Sequence, residues 1–309
     1  MLSSIRLPLK QHRFEVGAAA LAALLVGGSA LVVAYRLNSV EMPAGCFDAW
    51  LHGTAESIAG CVGPTQVWAS INENEAGKVF AAMAILPFAV GLLGGVPIVA
   101  RELESRTAQT AWFLWGSRLR WLARQLLPVI VLLGALTTFA AFAMEPLEAT
   151  QRGTSVTHIA LHGPIVIGGA FAALGIGLLV GAVVGRTLPA FIVGVLLCFV
   201  VTLPAVELRL GWLDERKTVI GPMQASGYSF GLLMRAPDGA LITLDDAFSR
   251  VPPGEEENLD QWLSDHGYEY VQLGVTDETI RAWTPYEVAG LGLVGLAAIA
   301  ATSLVVSRR

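Results

Sequence analysis

The chain has 309 residues, is 54% hydrophobic and 15% charged, and carries a formal net charge of −5. Soluble globular domains usually carry about 25% charged residues, so this composition excludes an ordinary soluble protein. Six stretches without Asp, Glu, His, Lys or Arg are each roughly 20 residues long, which is the length of a helix that crosses a bilayer core. Lipid offers the backbone no hydrogen-bond partners, so each is expected to be a transmembrane helix rather than a buried helix of a soluble core. The stretches are Val16–Tyr35, Val79–Ala100, Leu126–Met144, Gly163–Gly185, Thr187–Val206 and Val288–Val306.

The N-terminal residues 1–15 alternate apolar and basic side chains and are predicted to form an amphipathic helix on the cytoplasmic membrane surface. Together with the first stretch they also resemble a signal peptide. However, the apolar part is longer than the usual core of about 7–15 residues, and it lacks a clean small-x-small cleavage site. An uncleaved first span is therefore expected.

Residues 36–78 are polar and glycine-rich, and they are predicted to form an external loop between the first two spans. Two of the three cysteines, Cys46 and Cys61, lie in it. On an oxidising face such a pair is expected to form a disulfide that closes a short loop. Two free thiols are the alternative.

A basic segment, Arg101–Arg124, separates the second and third stretches and holds five of the twenty Lys and Arg residues. Lys and Arg in short loops mark the cytoplasmic side of a membrane protein. Six spans place this loop, the N-terminal segment, the turn at Arg186 and the C-terminal Arg308 and Arg309 on one side. Both termini are therefore predicted to be cytoplasmic.

Small residues recur every four positions along the fourth stretch, which allows two helix backbones to approach closely in lipid. This pattern predicts a close contact with a neighbouring span, in the same chain or in a second copy; a flexible, glycine-rich helix without a special partner is the alternative. The residues are Gly169, Ala173, Gly177, Gly181 and Gly185.

Residues 208–283 hold thirteen Asp and Glu against six Lys and Arg and are predicted to form a small α+β extracellular domain between the fifth and sixth spans. The turn sequence Pro237–Gly239 predicts a β-hairpin, and residues 257–267 predict a short helix that ends at Gly267, followed by a strand. The sequence leaves open whether this domain is a ligand-binding lid or a cap that covers the outer face. The predicted fold is thus an all-α polytopic membrane protein with transmembrane helices one to five over 16–207 and helix six with a cytoplasmic tail over 284–309.

No motif for chemistry is present: there is no GxxxxGK[ST], GxGxxG, HExxH, CxxC or GxSxG sequence. His158 and His162 have helical spacing but are too few to hold a metal ion, so no metal site is expected. The spans also lack the ionisable residues with which ion-coupled transporters work. The chain is therefore not expected to be an enzyme, and any energy must come from another subunit.

The segment GVPIVARELESRTAQTAWFLWGSRLRWLARQLLP, residues 95–128, resembles the region after the second span in class-two permease subunits of ATP-binding-cassette exporters. Actinobacterial members of that family are especially similar. Two positions depart from the family pattern: Arg106 stands where glycine is usual, and Arg124 stands where lysine is usual. The matching residues are Ala100, Arg101, Glu102, Glu104, Thr107, Ala111, Trp112, Arg118, Arg120, Trp121 and Leu122.

This resemblance implies that residues 101–125 form a coupling loop that contacts a cytoplasmic ATPase. The implied ATPase-coupling residues are those of the loop that match the family's charged, Thr and Trp positions. Two ATPase copies and a second permease copy, as a homodimer, are the implied partners, with membrane lipid and without nucleic acid. ATP and Mg²⁺ would be bound by the ATPase. The coupling residues are Arg101, Glu102, Glu104, Thr107, Trp112, Arg118, Arg120 and Trp121.

The function expected from the resemblance is ATP-driven export of an amphiphilic or lipid-like substrate or a drug. Phe191, Phe199 and Thr202 of the fifth span are suggested as lining the substrate path between facing copies. The alternative is a membrane sensor or scaffold protein whose extracellular domain binds a ligand or an envelope partner.

Overall fold

The computed structural model describes residues 13–43, 45–46, 60–107, 117–151, 154–161, 163–222, 228–252 and 259–308. Within these residues, six helical segments are long and apolar enough to cross a membrane, which confirms the six predicted spans. The predicted helix over residues 1–15 lies largely outside them. The helices are α1 (Arg13–Asn38), α2 (Val62–Ile71), α3 (Gly77–Glu104), α4 (Arg118–Glu148), α5 (Gly163–Val184), α6 (Thr187–Asp214), the two short helices α7 (Leu244–Phe248) and α8 (Leu259–Asp265), and α9 (Asp277–Arg308).

The second span begins much earlier than the sequence predicted. Helices α2 and α3 are joined by a π-helical turn, Asn72–Ala76, into one helical segment of 43 residues. At 1.5 Å per residue it measures about 64 Å, roughly twice the thickness of a bilayer core, so one end projects beyond the membrane. The prediction of a loop over 36–78 is therefore wrong for residues 62–78. An ion pair between Arg36 and Glu75 ties the projecting part to the end of α1.

The helical bundle is organised around α5. In its apolar window 83% of residues are buried within the chain, against 11% for α6. Helix α5 packs most extensively against α3 and α9, while α1 packs against α4 and α3. The chain thus covers α5 on several sides and leaves most of α6 exposed.

The small residues that recur every four positions along α5 face α3 of the same chain. A Cβ added at Gly181 would lie 2.7 Å from the carbonyl oxygen of Val96, and one added at Gly177 would lie 3.1 Å from the backbone nitrogen of the same residue. At Gly181 a Cβ would force the two backbones apart, and at Gly177 it would make a tight contact. Of the two alternatives left open by the sequence, the structure shows the contact within the chain.

Cys46 and Cys61 form a disulfide with a Cα–Cα distance of 5.2 Å, as the sequence led us to expect. Both cysteines are fully buried. Cys61 immediately precedes α2, so the bond anchors the start of the projecting helix to the chain that leaves α1.

Four strands of a five-stranded sheet lie between α6 and α9 in the chain, and the fifth, β1, lies between α4 and α5. The strand order is β1-β3-β5-β2, with β4 beside β3. The predicted hairpin is confirmed: β4 pairs antiparallel with β3, and Gly239 in the turn has a φ of +83°. The predicted helix and the strand that follows it are confirmed as α8 and β5. The strands are β1 (Thr154–Ser155), β2 (Thr218–Pro222), β3 (Tyr228–Arg235), β4 (Leu241–Ile242) and β5 (Glu269–Val275).

The sheet region is narrower than the predicted domain 208–283, because α6 continues to Asp214 and α9 already begins at Asp277. It also takes in a strand that the sequence did not predict, since β1 from the α4–α5 connection pairs parallel with β3. A cluster that includes Leu213, Tyr228 and Val275 packs the sheet against the ends of α5 and α9. The sheet is therefore attached directly to the helix bundle.

Candidate functional site at the arginine-rich end of the bundle

The helix ends that carry most of the predicted coupling residues meet at one end of the bundle, which we call the basic end. Three contacts define it. Arg101 of α3 pairs with Glu15 of α1 at 3.1 Å, and the Arg118 guanidinium at the start of α4 donates to the carbonyl of Ser307 in α9 at 2.6 Å. The third contact joins α3 to α6 and is described below. We call the opposite end, where the sheet lies, the sheet end.

Helix α3 ends in a Schellman motif centred on Arg106. The amide of Arg106 donates to the carbonyl of Leu103, and the amide of Thr107 donates to the carbonyl of Glu102. This pair of bonds requires a left-handed residue at the first position after the cap, and Arg106 has a φ of +59°. Arg106 is also the position at which the resembling family usually has glycine, so the structure explains why glycine suits that position.

Glu102 points into the protein and not toward solvent. It is 6% exposed, and its carboxylate accepts a hydrogen bond of 2.5 Å from the hydroxyl of Thr107. That hydroxyl lies 2.7 Å from the hydroxyl of Ser105. Glu102 therefore holds the chain that leaves α3, and Thr107 is a part of this turn.

Glu104 connects α3 to α6. Its carboxylate accepts hydrogen bonds from the backbone amide of Thr187 at 3.0 Å and from the Thr187 hydroxyl at 2.7 Å. Thr187 is the first residue of α6, where backbone amides lack partners within the helix and where negative charge is favourable. Glu102 and Glu104 both lie in the last turn of α3, and Glu104 caps another span.

The predicted coupling residues after residue 116 lie in the first turn of α4. Arg120 is exposed, as expected for a residue that meets a partner. Trp121 is only 1% exposed and packs in the main hydrophobic core, because the α4 helix turns it inward. Trp112 lies outside the described residues.

The residues suggested for a substrate path differ in how far they are exposed on α6. Phe199 is 61% exposed, whereas Phe191 packs against the cluster between α3, α5 and α6. The hydroxyl of Thr202 donates to the carbonyl of Cys198 in its own helix at 2.8 Å. Phe199 belongs to the exposed apolar face of α6; the other two residues contribute less to it.

The sequence analysis missed a buried ion pair between α6 and α9 at the sheet end. Arg209 Nη1 lies 2.9 Å from Glu287 Oε1, and the two side chains are 3% and 6% exposed. The second oxygen of Glu287 accepts a hydrogen bond of 2.8 Å from the indole of Trp283. Both charges lie just outside the uncharged stretches, at the ends of two helices, and this shared position is the signal that could have suggested the pair.

Residues 16–209 match the family model described as ABC-2 membrane transporter related. The match extends from α1 through nearly all of α6 and covers more than half of the chain. The chain belongs to this family. No curated protein and no solved structure matches the chain.

As an ABC-2 type permease, the chain is a multi-pass membrane protein and a transporter subunit. Membership in this family implies an ATP-binding-cassette ATPase as partner. The matched residues include the basic end apart from Glu15 and the last part of α9, and they exclude the sheet strands β2 to β5.

Proposed function

We propose that this chain is the membrane subunit of an ATP-driven exporter, and that a separate cytoplasmic ATPase docks at the basic end. The observation that carries the proposal is the link between Glu104 and Thr187. It joins the helix that enters the loop over 105–117 to the start of α6, the most exposed span. A force applied to that loop would therefore reach α6 directly.

The charge of the basic end supports a cytoplasmic location. Arginines lie at the ends of α1, α3, α4 and α9 and in the turn before α6, and they outnumber the nearby carboxylates. The positive-inside rule and the anionic inner leaflet both favour such an arrangement on the cytoplasmic face. The sheet would then lie outside the cell, which fits the disulfide at the same end.

The exposed face of α6 supports a second permease copy. Few of its side chains are buried within one chain, although α6 is as apolar as the other spans. In a homodimer this face would meet its counterpart, and an apolar path between the copies would suit an amphiphilic, lipid-like or drug substrate. ATP and Mg²⁺ would be bound by the ATPase, and this chain would not hydrolyse ATP itself.

The test is copurification of the tagged chain with the ATPase from the same cells. We expect a separate ATPase to be retained by the wild-type chain and lost with Glu102→Arg, which would place a like charge against the arginines of the basic end and open the turn at Thr107. A Glu145→Gln variant at the opposite end is the matched control. A chain that purifies without any ATPase would contradict the proposal and favour a sensor or scaffold.

A further inference from the structure

An open groove of about 900 Å³ runs along the sheet end of α6. Its floor is formed by successive turns of α6 that include Leu203, Leu208 and Trp212, and Trp283 of α9 forms its wall. The two indole rings have centroids 5.1 Å apart. The groove therefore combines an aliphatic strip with a pair of aromatic rings.

A carboxylate lies in the middle of this apolar surface. Glu207 lines the groove and is exposed, and among the described residues it makes neither a hydrogen bond nor an ion pair. It lies 20 residues after Thr187, which puts it about 30 Å along the helix, at the boundary of a bilayer core. At this boundary the carboxylate can stay charged while the side chains of α6 that precede it lie at the depth of the hydrocarbon core.

The other charges around the groove are already engaged. The guanidinium of Arg216 lies over the Trp212 ring, with its Cζ 4.0 Å from the ring centroid, and it lies 3.6 Å from the carboxylate of Glu215. This contact shows that the aromatic wall accepts a cation. It also leaves Glu207 as the carboxylate of the groove that has no cation beside it among the described residues.

We propose that this groove binds an amphiphile with a cationic headgroup, an amine or a quaternary ammonium, whose apolar tail lies along α6. The headgroup pairs with Glu207 beside the indole of Trp212, and the tail covers Leu203 and Leu208. The assignment rests on the transporter function proposed above only in making this amphiphile a substrate; binding itself does not require the ATPase.

The depth of Glu207 favours a simple cationic amphiphile over a phospholipid. In a phospholipid the phosphate lies nearest the apolar boundary, and the amine lies farther out. A phospholipid in this groove would bring its phosphate to Glu207, with repulsion between the two negative charges. An alkylammonium compound brings its positive charge to that level.

The test is equilibrium binding of radiolabelled dodecyltrimethylammonium to the full chain in phosphatidylcholine nanodiscs, measured above the uptake of empty nanodiscs. We expect saturable binding that Glu207→Gln weakens about tenfold, because the quaternary ammonium loses the carboxylate that attracts its charge. Glu145→Gln, which removes an exposed carboxylate of α4 at the sheet end of the bundle, should change the affinity less than twofold. Dodecyl sulfate should not compete.

Three results would overturn the proposal. The first is equal affinity of the wild type and Glu207→Gln. The second is retention of an amine phospholipid in native mass spectrometry that depends on Glu207, which would make a lipid the occupant. The third is a change of oligomeric state in Glu207→Gln without a change in binding, which would make the groove a contact between copies. Since the binding assay contains no ATPase, none of these outcomes decides the transporter proposal, which the copurification experiment tests separately.

Discussion

Replacing Glu287 by leucine should destabilise the helix bundle strongly, because it leaves Arg209 buried without a counter-charge. The Arg209 side chain is 3% exposed, and its Nε has no partner among the described residues even in the intact pair. Removal of one partner of a buried ion pair typically costs about 3–5 kcal/mol. The indole N–H of Trp283 loses its acceptor in the same step, so we expect a loss within this range.

The pair also permits a double substitution that separates this cause from a loss of packing. Arg209→Met with Glu287→Gln removes both charges and retains an amide oxygen for the Trp283 N–H. Uncharged replacements of buried pairs are often neutral in stability, so the double variant should lose less than about 1 kcal/mol. The variant that removes both charges should therefore be better tolerated than the variant that removes one.

The free energy of unfolding can be followed by tryptophan fluorescence in mixed micelles of increasing dodecyl sulfate content. Glu145→Leu, at an exposed site at the same end of the bundle, is the control for added apolar surface. The reasoning is refuted if Glu287→Leu costs no more than this control, or if the double variant is as unstable as the single one.

Three further predictions concern stability. Arg106→Gly should raise the free energy of unfolding by up to about 1 kcal/mol, since the left-handed conformation costs about 1–2 kcal/mol for a residue with a Cβ and glycine loses part of this gain through its freer unfolded chain; an unchanged midpoint would contradict this. Gly181→Ala should cost about 1–3 kcal/mol by forcing its Cβ to 2.7 Å from a backbone oxygen of α3, while Gly134→Ala, with open space around it, should be neutral or stabilising in the same unfolding assay. The Cys46→Ser, Cys61→Ser double variant should lose about 3 kcal/mol, the value for a closed loop of about 15 residues. If the wild-type chain has the same mobility on gels with and without reductant, no bond has formed.

The six spans could be predicted because the cost of placing backbone and charge in lipid leaves long uncharged stretches in the sequence. The same criterion misplaced the start of the second span. Helix α2 carries polar residues, and it is stabilised by contacts that a count of charges does not detect, including the burial of Trp68 and Ile71 in the main core.

The contacts at the candidate site could not be predicted from the sequence. The resemblance pointed to residues 101–125, of which 105–117 connect α3 to α4, yet the partners of Glu102 and Glu104 depend on how the chain turns at Arg106. The cap on Thr187 joins residues 83 positions apart, and the pair of Arg209 with Glu287 joins residues 78 apart. Contacts of this length arise from the packing of helices, which the sequence of one helix does not specify.

The central claim is that movement at the basic end passes through Glu104 to α6, and the most direct measurement is the ATP turnover of the purified complex in proteoliposomes. We expect Glu104→Ala to abolish the stimulation of ATP hydrolysis by substrate, because the amide of Thr187 loses its acceptor. Glu104→Gln, which keeps an acceptor oxygen, should restore most of it, and Glu145→Gln should behave as the wild type. Full stimulation in Glu104→Ala, with the ATPase still bound, would contradict the account.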